Sequence, residues 1–214
     1  MNISIPKVYP ILDSSVIPAV GRSKFLEMLG KSLADAGVLW LEYRNKTGTD
    51  AEVMADSKIL RAVMPAGQVK LILDDRVDLV AEAGFDGVHV DAGDASPRDA
   101  RKLLGHDRIV GTFGGSYNLI PGILAEPANY LAIGPVYLTT TKQTSRAPIG
   151  VEGVRRLRAE ARPEAVLVAA AGITFETAPM VFAAGASSVA VAAAIFRAAD
   201  PAREFLRWKE QIGD

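Results

Sequence analysis

Short, nearly unbroken apolar runs alternate with amphipathic stretches along the whole chain. The runs at 8–13, 38–43, 69–75, 87–91, 108–113, 130–137, 165–172 and 188–195 read as strands. Between them, helical periodicity marks 24–36, 50–63, 76–83, 97–104, 151–161 and 174–184, with a last helix at 201–212 that opens on proline, a natural first-turn residue. Segments such as VLVAAAG and VAVAAAI lack polar alternation. That is the signature of parallel strands covered on both faces. Strand and helix recur roughly every 20 to 27 residues, so eight units predict an α/β chain folded as a (β/α)₈ TIM barrel, one domain over residues 1–214. An open doubly wound sheet is the alternative, disfavoured because no strand-turn-helix carries a G-x-G-x-x-G fingerprint. Both folds place a site at the carboxyl ends of the strands.

Composition narrows the chemistry without naming it. The chain has 214 residues, 49% of them apolar and 23% charged, and a formal net charge of −1. A nucleic-acid partner would ask for a basic field, which is missing. Cysteine is absent, which excludes disulfides, thiolate metal sites and a cysteine nucleophile. No apolar run is long enough to span a bilayer, and Pro6 interrupts the N-terminal stretch too early for a signal peptide, so the expected compartment is the cytoplasm, with no membrane partner. A homo-oligomer is left open.

The strand ends carry the candidate chemistry. In LEYRNK, Glu42, Arg44 and Lys46 project to one face of an extended chain, and an Arg-Lys pair suits a diphosphate as well as a solvated ion-paired exit. Asp74 and Asp75 close LILDD, and Asp91 and Asp94 follow GVHV. Carboxylates from neighbouring strand ends suit a Mg²⁺ ion shared with phosphate oxygens, although Asp75 or Asp94 could equally cap a helix. His89 reads as an inward structural residue, His106 as a turn residue, and Trp40 and Trp208 as packing residues. The Gly114-Gly115 pair in TFGGS could turn amides toward an anion or simply bend the chain. YLAIGPVYLTTTK brings Thr139, Thr141 and Lys142 to the sixth end, before a polar loop suited to covering a ligand. Gly172 and the helical start at Ala193 match a phosphate cup after strands seven and eight.

Taken together, YPILD, LEYRNK, LDDRVDLVAEAGFDGVHV with Asp94, GPVYLTTTK, APIGVEGVRRL and AGITFETAPMVFAAGASSVAV resemble the thiamine-phosphate synthase family over nearly the full length. The resemblance implies a transferase of thiamine biosynthesis. It would join hydroxymethylpyrimidine diphosphate to thiazole phosphate, two small-molecule substrates, by a Mg²⁺-assisted dissociative route. It implies that Arg44, Lys46, Thr139, Thr141 and Lys142 hold the diphosphate, with Arg44, Lys46 and Lys142 as the catalytic cations. Asp75 and Asp94 would bind the metal. Backbone at Ala171, Gly172, Ala192 and Ala193 would hold the thiazole phosphate, and Glu42 would stand beside the pyrimidine where the family usually has Gln.

Several positions depart from the family pattern. Asp74 replaces Asn, Phe113 replaces Ser, Gly115 replaces His, Asp91-Ala92 replaces Gly-Gln, and Ala171 and Ala193 replace Gly and Ser. Ser116 and the neighbouring glycine amides could compensate for the hydroxyl lost at Phe113. The departures keep three alternatives in view: a divergent paralogue that binds thiamine precursors or phosphates, a thiazole tautomerase-like isomerase, and a sugar-phosphate barrel.

Overall fold

The structure is a computed structural model that describes residues 4–91, 93, 95–139 and 146–213. Eight parallel strands, β1 (Val8–Asp13), β2 (Trp40–Arg44), β3 (Lys70–Asp74), β4 (Gly87–Val90), β5 (Ile109–Gly115), β6 (Tyr130–Ile133), β7 (Leu167–Ala170) and β8 (Ser188–Val191), pair in sequence order. β8 returns to β1 and closes the barrel. The expected TIM barrel is therefore the observed fold. Around it lie α1 (Arg22–Asp35), α2 (Asp50–Val63), α3 (Pro97–Leu104), α4 (Gly150–Glu160), α5 (Ala178–Ala183), α6 (Ala193–Phe196) and α7 (Pro201–Ile212). Among the described residues no helix is long and apolar enough to cross a membrane.

Local chemistry explains where the helices begin. Thr49 and Glu52 form a reciprocal capping box ahead of α2. Ser96 accepts from the Asp99 amide ahead of α3, and Asp200 from the Arg203 amide ahead of α7, each followed by proline in the first turn. Since Ser96 caps α3, the cap reading offered for Asp94 is not needed there.

Three sequence boundaries are corrected. The sixth strand stops at Ile133 rather than 137, because Gly134 adopts φ 143° and a cis Gly134-Pro135 bond turns the chain off the ladder. The eighth stops at Val191, and Ala193–Phe196 is helical. In place of a helix at 76–83 there is a 3₁₀ turn, Val77–Leu79, followed by turns, since the chain starts from Asp75 in the left-handed region at φ 64°.

The barrel has two apolar layers. Leu12, Tyr43, Leu71 and Val88 belong to the layer between strands and helices. Tyr9, Trp40, Ile72 and Tyr130 fill the inside. Tyr9 meets Trp40 and Tyr130 edge-on, both at centroid distances of 5.8 Å, and His89 stacks on Tyr130 at 5.6 Å. This plug closes the amino-terminal half of the barrel and forms the floor of the site above it. Trp40 is thus a packing residue, and so is buried Trp208, which meets Phe175 edge-on.

Candidate functional site

Strand register brings the charged ends together. Asp13 of β1 lies opposite Arg44 of β2, and Asp74 of β3 lies opposite His89 of β4. Because side chains alternate along β2, Glu42 and Arg44 point into the barrel, whereas Tyr43 points outward and donates to Asp56, which α2 supplies. Arg44 forms an ion pair with Asp13 and lies 3.6 Å from Asp74. Lys46 lies 3.0 Å from Asp74 and also pairs with Asp75. Two cations therefore face three carboxylates at one edge of the mouth. Asp74 Oδ2 is buried and, despite the nearby cations, makes no aligned hydrogen bond. The Lys46 ammonium is partly buried, which works against its charge, yet Asp74 and Asp75 hold its pKa above the ordinary lysine value. At Asp13, burial favours the neutral acid, but hydrogen bonds from Ser15 and the Arg44 contact prevail and lower its pKa.

The mouth opens into a cavity of about 380 Å³. Of the residues proposed from the sequence, Glu42, Arg44, Asp74, Phe113, Thr139, Ala171, Gly172, Ala192 and Ala193 line it. Lys46 and Asp75 join through their ion pairs to Asp74 and to each other. Asp94, Thr141 and Lys142 lie outside the described residues. At the deepest point Tyr9 donates to Glu42 Oε2 at 2.9 Å, and the Tyr9 and Tyr130 hydroxyls are 3.1 Å apart. His89 Nδ1 lies 3.2 Å from the Tyr130 hydroxyl, so the histidine is inward and tied into the floor. Burial, reinforced by the Asp74 charge, pushes the Glu42 carboxyl up to about 8. Glu42 is therefore a neutral acid at pH 7.

The opposite rim is made of backbone. Ala171 and Gly172 both take left-handed conformations, with φ of 72° and 68°, and carry the chain sharply off β7. A Cβ at Gly172 would lie 2.4 Å from the Leu138 carbonyl oxygen, so glycine is required by the close approach of the β6 loop. After β8, Ala192 precedes the short helix α6. The walls between the two rims are apolar, with Ile11, Ile133, Val168, Ile173 and Ala190.

Sequence reasoning missed Asp13, Tyr9, Tyr130 and Arg146 as cavity residues. Asp13 was readable as the polar end of an apolar strand; the two tyrosines needed the register, and Arg146 sits in a loop with no periodic signal. The compensating role offered for Ser116 does not fit the geometry. Its hydroxyl donates to the Gly134 carbonyl at 2.6 Å, and it is not among the cavity-lining residues.

The donor set was tested for a Mg²⁺ ion. Among the described residues no three His, Cys, Asp or Glu side chains converge as a ready cage. Mg²⁺ asks for less, commonly one or two carboxylates with water and phosphate oxygens completing the shell. Asp75 at the mouth is a hard oxygen donor of the right kind beside the cations that would meet a diphosphate.

Comparison with known proteins gives a consistent result. Residues 8–195 match the family model described as thiamine monophosphate synthase. A thiamine-phosphate synthase of Koribacter versatilis is 37% identical over 212 residues, covering 96% of this chain and 97% of the relative. One of Agrobacterium fabrum is 37% identical over 178 residues, covering 82% and 81%. Among solved structures, a thiamine phosphate pyrophosphorylase from Pyrococcus furiosus superposes with a TM-score of 0.76 at 24% identity, covering 97% of this chain and 95% of that one, a likeness in fold.

Proposed function

The chain belongs to the thiamine monophosphate synthase family, and from that premise we propose that its cavity joins hydroxymethylpyrimidine diphosphate to thiazole phosphate, releasing diphosphate and thiamine phosphate. It is a transferase of thiamine biosynthesis. The observation that carries the reading is the pairing of two unlike rims on one apolar-walled cavity. One rim gathers Arg44, Lys46, Asp74 and Asp75; the other, at Gly172 and Ala192-Ala193, offers backbone.

Such a site suits two phosphorylated substrates held on either side of a reacting carbon. Arg44 and Lys46, with Thr139, Thr141 and Lys142 of the β6 end, hold the diphosphate. Asp75 and Asp94 would hold Mg²⁺, which when bound supplies positive charge to the leaving group. Backbone around Ala171, Gly172, Ala192 and Ala193 holds the thiazole phosphate. As the carbon–oxygen bond breaks, its electron pair leaves with the diphosphate, and Arg44 and Lys46 stabilise the charge that develops there. The apolar walls exclude water from the pyrimidine methylene cation until the thiazole nitrogen forms the new carbon–nitrogen bond. The cytoplasm as compartment and Mg²⁺ as cofactor belong to the same proposal.

The geometry counts against the isomerase alternative. At Gly115, where the histidine of that activity would fall, φ is 144° and a Cβ would lie 2.2 Å from the Asn118 carbonyl oxygen. No histidine fits that backbone. The test of the proposal is chromatographic detection of thiamine phosphate after incubation with both substrates and Mg²⁺. Its formation, abolished by a chelator, supports the reading; binding of both substrates without product overturns it.

A further inference from the structure

Phe113 stands near the end of β5, on the cavity wall, and the guanidinium carbon of Arg146 lies 4.2 Å from the centroid of its ring. Both residues line the cavity that Arg44 lines. An aromatic face attracts a cation through its quadrupole, and it contributes no formal charge to the pairing. This differs from the support given to Arg44 and Lys46, which face Asp13, Asp74 and Asp75. That edge, taken alone, carries more negative than positive charge, an unfavourable setting for a diphosphate.

We propose that Arg146 is a further residue that contacts the diphosphate, and that Phe113 is the positioning residue that mounts it on the cavity wall. The inference rests on the substrate pair proposed above for this cavity. It also gives the Phe113 departure a purpose. A hydroxyl at that position would offer one neutral hydrogen bond, whereas the ring presents a guanidinium, whose planar fork suits phosphate oxygens. The carboxylate-rich edge and the Arg146 wall then bring charge to the anion from two sides of the cavity.

The test combines calorimetric titration with Mg²⁺ and inorganic diphosphate with steady-state kinetics, on the wild type, Arg146→Met, Phe113→Leu and the double variant. Arg146→Met is expected to weaken diphosphate binding about tenfold or more and to raise KM for the pyrimidine diphosphate with little change in kcat. Phe113→Leu, which keeps apolar bulk and removes the ring, is expected to weaken binding about two- to fivefold. The double variant should match Arg146→Met alone, because Phe113 acts through Arg146. Unchanged binding in Arg146→Met, or fully additive losses, would overturn the proposal. Normal turnover by all four proteins would sink this inference and leave the synthase reading intact. Arg146-dependent diphosphate binding in a protein that forms no thiamine phosphate would do the reverse.

Discussion

The hydroxyl of Tyr9 donates to Oε2 of Glu42 at 2.9 Å, deep in the barrel, and places a carboxyl group at the floor of the cavity. Glu42 is 3% exposed, which is why its pKa rises; the nearby charge of Asp74 adds to the effect.

That burial makes stability depend on pH. In the unfolded chain Glu42 loses its proton near the ordinary 4.5, and in the folded chain only near 8. Between those values the native state binds more protons than the unfolded state, so stability falls as pH rises through the window and levels off above it. Denaturant midpoints of the wild type and Glu42→Gln, followed from pH 5 to 9, should diverge in favour of Gln as pH rises. Parallel curves would show that Glu42 ionises normally.

Asp74 is predicted to work against the diphosphate. Asp74→Asn removes a negative charge 3.0 Å from Lys46 and 3.6 Å from Arg44, so diphosphate affinity should rise. The same change should lower the Glu42 pKa, shifting the pH-dependent loss of stability to lower pH. Lys46→Gln should do the opposite to affinity, a roughly ten- to hundredfold loss for one charge-assisted contact. Isothermal titration with Mg²⁺-diphosphate reads both changes, and weaker binding in Asp74→Asn would contradict the charge argument.

The turn after β7 makes opposite predictions for adjacent residues. Ala171 holds φ 72° against its side chain, so Ala171→Gly should leave stability unchanged or improve it by about 0.5 kcal/mol, after the entropic cost of glycine is deducted. Gly172→Ala would drive a methyl into the Tyr137-Leu138 backbone and should cost about 2 kcal/mol or more. Thermal unfolding of the two variants decides this. Equal effects in both would mean that the turn is not held as described.

Much of the architecture was readable from hydrophobic pattern, because parallel strands covered on both faces leave little ambiguity once eight of them repeat with helices. The pattern failed where geometry is local. Nothing in the periodicity of 76–83 reveals that Asp75 turns left-handed, and the apolar run past Ile133 hides the turn at Gly134-Pro135. At the site, Arg44, Lys46 and Asp74 were legible as polar ends of apolar strands. Tyr9 and Tyr130 looked like core because they are core; their hydroxyls matter only through the register that sets them beside Glu42 and His89. Arg146 came from a loop, and only the ring of Phe113 beneath it shows where it belongs.

The most direct measurement is diphosphate release by the purified protein given hydroxymethylpyrimidine diphosphate, thiazole phosphate and Mg²⁺, with Asp94→Ala as the control. The account predicts release that needs both substrates and the metal and that collapses in the variant. Substrate binding without release, or release unchanged in Asp94→Ala and indifferent to Mg²⁺, would contradict it.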